Sequence, residues 1–228
     1  AISPDGSRVV YGSSGLIRPL AVQSFDRLES ETLPGTGAGS SPVFSPDGGS
    51  VAFFDQRQSA LKRISILGGP TSTITSTDGL LTGSSWGVDG TIVFSTERSG
   101  GLVRVSADGR GQPEQLTTIA EGEAGHHWPA MLPNGRGVLF TAWRGSVESS
   151  HIAVLSLETR KVTALIPAGS HPIFVATGHI VYAAGGGLRA VGFDPARLVL
   201  TTDEPVPVVD SVRILTNGAG QFDVAGNG

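Results

Sequence analysis

The 228-residue chain contains no cysteine, one methionine and only two lysines. The absence of cysteine excludes disulfides, thiolate nucleophiles and Cys-ligated zinc together. Charged residues make up only 16% of the chain, and the balance is mildly acidic, with a net charge of −4 and a pI near 5.7. The basic residues are scattered singly, so the clustered cations that neutralise phosphates are missing and no nucleic-acid partner is expected. No apolar run approaches the roughly 18 residues of a membrane span. The one tempting stretch, residues 172–184, is broken by Gly178 and His179. No persuasive helical period is found anywhere. The chain opens at Ala1 with neither an initiator Met nor a signal-peptide pattern, and it reads as an excised or processed piece of a longer protein.

What is abundant is turn-forming residues: 33 Gly and 14 Pro, spread at intervals rather than gathered in a low-complexity block. With 39% hydrophobic residues the chain has enough apolar surface for a substantial core. The intervals themselves repeat. Ser3-Pro4-Asp5-Gly6 returns as Ser45-Pro46-Asp47-Gly48, as Gly87-Val88-Asp89-Gly90 and as Leu132-Pro133-Asn134-Gly135, with degenerate copies at Thr177-Gly178 and Asn227-Gly228. The spacing of about 42 to 45 residues suits one propeller blade per repeat. Asp-Gly and Asn-Gly are the dipeptides of two-residue hairpins, so each copy should join two antiparallel strands.

A β-branched or aromatic run follows each turn, including Val51-Ala52-Phe53, Ile92-Val93-Phe94 and Val138-Leu139-Phe140. A third strand with period-two alternation comes next, as in Leu61-Lys62-Arg63-Ile64-Ser65-Ile66. Gly- or Pro-bounded edge segments close each repeat. The expected fold is an all-β propeller of four-stranded antiparallel blades, most simply five, at about residues 1–37, 38–79, 80–121, 122–168 and 169–215. A β-sandwich shares the local signals but does not require a sequence repeat. Residues 216–228 are expected to close the ring. In that arrangement residues 220–224 form the innermost strand of the blade begun by residues 8–11, and residues 1–3 are displaced. The rival is an open arc of a larger propeller. Phe44 and Trp86 are expected to be buried between blades.

At the Ser-Pro-Asp-Gly turns and the β-branched strands after them, best at residues 41–54, the chain resembles the TolB-like β-propeller repeats. Residues 83–94, 126–140 and 187–208 further resemble the propeller C-terminal to the kinase domain of some bacterial Ser/Thr protein kinases. No kinase motif is present: there is no Gly-rich loop with a strand Lys, no His-Arg-Asp and no Asp-Phe-Gly. The resemblance implies a bacterial source and an extracytoplasmic or periplasmic part of a larger protein. The excess of 14 Arg over two Lys is in keeping with a high-GC genome. Such propellers serve as interaction platforms, sensors and enzyme appendages.

Four groups of residues invite a functional reading. Gly83-Ser84-Ser85-Trp86-Gly87 satisfies the Gly-x-Ser-x-Gly pattern of serine hydrolases, but the nucleophile elbow needs a strand entering a helix and here a turn and strand follow. Ser85 is therefore expected to be an ordinary first-strand residue, with an esterase-like hydrolase as the alternative. Residues 35–40 are Gly-rich but lack the Lys and the helix of a phosphate loop. The paired carboxylates of a propeller glycosidase are missing from the first strands. The fourth group is the most informative. Aligned on the turns, Ser41, Trp128, His171 and Gln221 share one repeat position, with His126 and His127 just before it. First strands line a propeller's channel, so these residues are expected at one channel mouth, with Glu121 and Glu123 nearby. They form a candidate site for a protein, peptide or small polar ligand, with no metal and no cofactor. The alternative for these histidines is a hydrolytic site, or simple satisfaction of backbone groups in tight inter-blade loops, and for the whole domain a structural spacer whose channel is filled by side chains. His151 and His179 are expected to face solvent.

Overall fold

The computed structural model describes residues 1–12 and 19–226, and every regular element among them is a β-strand. Five antiparallel blades follow one another along the chain. Blade 1 contains β1 (Arg8–Gly12), β2 (Leu20–Ser24) and β3 (Glu31–Thr32), and residues 1–3 lie on the remaining edge of β1 through an Ile2–Val9 bridge. Blade 2 runs β4 (Gly39–Phe44), β5 (Ser50–Asp55), β6 (Ala60–Ser65) and β7 (Ser72–Ser76). Blade 3 runs β8 (Leu81–Trp86), β9 (Thr91–Thr96), β10 (Val103–Ser106) and β11 (Glu114–Gln115). Blade 4 runs β12 (Gly125–Met131), β13 (Gly137–Trp143), β14 (His151–Ser156) and β15 (Val162–Ile166). In blade 5, β16 (Ser170–Val175), β17 (His179–Ala184) and β18 (Gly187–Asp194) are followed by two short strands, β19 (Val199–Leu200) and β20 (Val206–Val209), both paired to β18.

The repeated turn joins the first two strands of each blade, but it is longer than the expected two-residue hairpin. In blade 2 the Ser45 N–H donates to the Ser50 carbonyl at 2.9 Å, closing a loop over residues 46–49. Pro46 has φ fixed at about −65° and brings no N–H to a strand ladder, which suits the second position of an ordinary turn. The chain makes a Ser45-to-Gly48 turn closed by a 2.8 Å bond, with Gly48 at φ 69°. The Asp47 carboxylate accepts from the Ser45 hydroxyl at 2.5 Å and the Gly49 N–H at 3.0 Å. Asp5, Asp89 and Asn134 accept the corresponding N–H of Ser7, Thr91 and Arg136, each at 3.0 Å. The repeated acid is thus a turn residue.

Between turns, sequence neighbours point to opposite faces of a blade and enter different cores. Phe53 packs toward blade 1 with Val10, Leu20 and Leu33, while Phe54 packs toward blade 3 with Ile92 and Phe94. Val93 turns the other way, joining Leu102, Phe140 and Leu155 between blades 3 and 4. Leu139, Ile152 and Val154 then meet Ile180, Tyr182 and Phe193 between blades 4 and 5. Four apolar cores therefore join five blades. Phe44 is buried in the first of them, and Trp86 is half-buried against the second.

Blades 5 and 1 meet differently. Among the described residues no apolar core of this kind joins them, and the C-terminal segment lies at their junction. The Gly226 N–H donates to the Pro4 carbonyl at 2.9 Å, the Ile2 N–H to Asp223 at 2.7 Å and the Val212 N–H to the Gly186 carbonyl at 2.9 Å. The expected pairing of residues 220–224 with residues 8–11 is not what forms. The place beside β1 is held by residues 1–3, with Ala1 N and Val10 O 2.8 Å apart and the Ser3 N–H donating to Arg8 O at 2.9 Å. The reason is loop closure. Residues 1–3 reach β1 through one tight turn and pay little entropy, whereas residues 220–224 are joined to it only through the rest of the chain. Gly220 instead bridges Ile214 across a local turn.

Truncation of a buried inter-blade ring should create a cavity that the stacked sheets cannot close. Phe44→Ala is expected to cost about 3–5 kcal/mol in denaturant unfolding, and Trp86→Ala, with part of its ring already in solvent, less. A loss below about 1 kcal/mol for Phe44→Ala would contradict the packing described.

Candidate functional site

The first strands of blades 2 to 5 are broken at one repeat position. Register shifts occur between Ser40 and Val43, Leu81 and Gly83, His127 and Ala130, and Ser170 and Ile173. At these bulges Ser41, Trp128 and His171 have φ of 50°, 53° and 54°, and Gly83 has φ of 135°. Left-handed backbone at a non-glycine residue costs about 1–2 kcal/mol. In three of the four strands the next residue is proline, Pro42, Pro129 or Pro172, which brings no N–H to leave unpaired. The bulges surround a cavity of about 350 Å3 lined by all four strands together with Ala1, Phe222 and Asp223. A second cavity of about 280 Å3 lies toward the turns, bounded by Phe44, Trp86, Leu132 and Val224.

Ser41, Trp128 and His171 line the first cavity, where the repeat alignment places them. His126 and His127 do not. Both are buried, 3% and 8% exposed, because alternation along β12 sends them to opposite faces that are both packed, His126 against Phe140 and His127 against Trp143. The His126 ring is fully used. Its Nε2 lies 3.1 Å from Glu123 Oε2, an acceptor, so Nε2 carries the proton. Its Nδ1 then accepts from the Thr117 hydroxyl at 2.7 Å, and that oxygen accepts the Leu102 N–H at 2.9 Å. Glu123 also accepts the Ala120 N–H at 2.9 Å, and its other oxygen lies 4.0 Å from Arg144 and 3.9 Å from His151. Burial opposes the charge on Glu123, yet these hydrogen bonds hold its pKa below the ordinary carboxylate value. His151 is accordingly half-buried beside a carboxylate rather than facing solvent. His179 is half-buried too, with Nδ1 3.1 Å from the Thr177 hydroxyl. Glu121 is exposed and Gln221 is exposed, its N–H donating to the Arg213 carbonyl at 2.8 Å.

The mouth is covered by residues 217–223 of the chain itself. The Trp128 indole Nε1–H donates to the Asn217 carbonyl at 3.2 Å, and His127 Nδ1 lies 3.4 Å from the same oxygen. The Ser170 hydroxyl donates to the Gly218 carbonyl at 2.7 Å, and His171 Nδ1 to the Gly220 carbonyl at 3.0 Å. A carbonyl only accepts, so Nδ1 of His171 carries a proton. His171 sits between Trp128 and Phe222, each ring centroid 5.0 Å away, and His127 stacks on Trp143 at 5.6 Å. Burial lowers the pKa of His126, His127 and His171, opposed by Glu123, the Asn217 carbonyl and the Gly220 carbonyl respectively. The sequence reading missed Asn217, Gly218 and Gly220. They act through backbone oxygens, which every residue possesses.

Ser85 lies within β8 and its hydroxyl oxygen accepts the Met131 N–H at 3.0 Å, tying blade 3 to blade 4. Gly83 is required by proximity, since a Cβ there would lie 2.8 Å from Trp128 Cα and 2.9 Å from Pro129 Cδ. The Gly-x-Ser-x-Gly spacing thus arises from an inter-blade contact. Among the described residues no set of three His, Cys, Asp or Glu side chains is placed to hold a metal ion. None forms a helix long and apolar enough to cross a membrane.

No family model matches the chain, and no curated protein does. Solved structures do. TolB from Acinetobacter baumannii aligns at 19% identity with a TM-score of 0.65, over 95% of this chain and 57% of that one. The putative TolB from Agrobacterium tumefaciens aligns at 20% identity with a TM-score of 0.66, over 92% and 81%. An oligogalacturonate lyase in complex with manganese aligns at 17% identity with a TM-score of 0.62, over 84% and 60%. The chain thus spans about 60% of the length of two of these proteins. Identities this low establish architecture, and the fold is the β-propeller shared with TolB proteins.

Proposed function

We propose that this chain is a non-catalytic binding domain, one propeller within a larger bacterial protein, whose channel mouth recognises an extended peptide by its backbone. One observation carries the reading. Side-chain donors from two blades, Trp128, Ser170 and His171, with His127 beside them, converge on the carbonyls of a single segment, residues 217–220. Carbonyl recognition is indifferent to sequence, so the same donors suit a strand from a partner. The left-handed residues Ser41, Trp128 and His171 support the reading, because all three line the cavity and backbone strain is often stored at ligand clamps. Ser85 gives no support to the hydrolase reading, since its hydroxyl is engaged by Met131. The resemblance to TolB-like repeats supports an extracytoplasmic setting.

The tethered segment competes with any incoming peptide at an effective concentration on the order of millimolar. A fluorescently labelled peptide of residues 216–224, added at that level, should therefore show binding by anisotropy. Trp128→Phe keeps the ring and removes one donor from the tethered and the incoming segment alike, so capture should stay within about 3-fold while the melting temperature falls. Absence of binding, or a melting temperature indifferent to Trp128→Phe, would overturn the proposal.

Acid should destabilise the fold around the site. His126, His127 and His171 have pKa values lowered from 6.5 by burial, so the folded state favours neutral rings. Their contribution is complete above pH 6.5 and is lost as the pH falls below it, because the unfolded chain takes up protons first. The melting temperature should be level from about pH 7 upward and fall between roughly pH 6.5 and 5, before carboxylates titrate. A flat profile across that window would refute the assignment of neutral buried rings. Ser85→Ala should cost about 1–3 kcal/mol of stability by orphaning the Met131 N–H, and any esterase turnover in a substrate panel should survive it. Turnover abolished by Ser85→Ala in a folded protein would restore the hydrolase reading.

A further inference from the structure

A separate groove of about 330 Å3 opens at the outer part of the molecule between blades 4 and 5, a size at the small end of ligand sites. Leu165 and Ile166 of blade 4 form one wall, and Val191 and Leu200 of blade 5 another. Tyr182 also lines it. This side chain is 2% exposed, and its hydroxyl has no hydrogen-bond partner among the described residues. Buried hydroxyls are nearly always partnered, and leaving one unsatisfied is unfavourable, so an orphan beside a cavity points to an absent acceptor. Removing water from the phenol raises its pKa, so it stays a neutral donor.

Two charges complete the groove. Arg189 lies opposite Tyr182 in the pairing of β17 with β18, and Asp203 follows β19 at the rim. Both line the cavity, both are exposed, and neither forms an ion pair among the described residues, with each other or with any other group. A ligand carrying one charge would pair with one of these side chains and meet a like charge at the other. A ligand carrying a carboxylate and an ammonium on one carbon would satisfy both while its apolar tail lies against Leu165, Ile166, Val191 and Leu200.

We infer that the groove between blades 4 and 5 binds a free apolar α-amino acid. Its carboxylate is held by Arg189 and the Tyr182 hydroxyl, its ammonium by Asp203, and its aliphatic or aromatic side chain by the apolar walls. The groove and the channel-mouth cavity share no lining residue, so the two readings are tested separately.

The test is calorimetric titration of the full chain with L-leucine, 4-methylpentanoate and 3-methylbutylamine, which share one tail and differ in the charges they keep. Leucine should bind with a dissociation constant of about 1 mM or below, and each analogue at least ~10-fold more weakly. Arg189→Gln, at an exposed position, should weaken leucine at least ~10-fold. Tyr182→Phe should weaken it ~3-fold or more without lowering the melting temperature, since the hydroxyl has no partner to lose. No heat from leucine at 10-fold above that limit would overturn the inference. So would equal binding of the three compounds, or leucine binding untouched by both substitutions.

Discussion

Burial of apolar side chains between successive blades is the interaction on which this molecule depends. Each sheet is two-sided, so a strand such as Ser50–Asp55 sends Phe53 into one core and Phe54 into the next. No blade can bury its faces alone, and stability is shared between neighbours in the manner of a linear array. Four such cores exist among the described residues, and the junction of blades 5 and 1 is made by backbone hydrogen bonds and a strap of chain. The first strands of blades 2 to 5 converge on an axial cavity bordered by their bulges.

The bulges connect scaffold to site. Each inserts one residue into a first strand at the same repeat position, and each turns that residue toward the axis at a cost in backbone energy. Similar strain at Ser41, Trp128 and His171 presents three different side chains around one opening. Proline after each of them removes a donor that the broken ladder could not satisfy. The histidine pair next to Trp128 is put to different use: His126 becomes an internal fastening between Glu123 and Thr117, and His127 stacks on Trp143 beside the strap. What begins as a cluster of polar aromatics in the sequence is divided by the pleat into channel wall and interior.

The groove between blades 4 and 5 obeys the same logic from the outside. Where β15 ends and the chain crosses to blade 5, the core loses its outer covering, and Tyr182 is left at the boundary with its ring packed and its hydroxyl unmatched. A propeller interface is therefore both the source of stability and, at its edges, the place where small cavities with stray polar groups arise.

Periodicity was enough to establish the blades. Asp47, Asp89 and Asn134 mark turns because local hydrogen bonds demand them, and the alternation after each turn dictates two buried faces; both are properties of short segments, readable without a structure. Local chemistry likewise identified Ser41, Trp128 and His171 as one repeat position. The rest depended on which distant segments meet. That Trp128 joins the channel wall while His126 and His127 are interior could not be read until the bulge in β12 was known, because a single inserted residue reverses which face a side chain occupies. The strap over the mouth left no mark in composition, since Asn217, Gly218 and Gly220 contribute only carbonyl oxygens. Which segment lies beside β1 was settled by the short loop joining residues 1–3 to it, an entropic advantage that turn alignment treats as equal to its rival. Local hydrogen bonding and side-chain period are encoded residue by residue, whereas backbone partners and the faces beyond a bulge exist only once the chain has closed on itself.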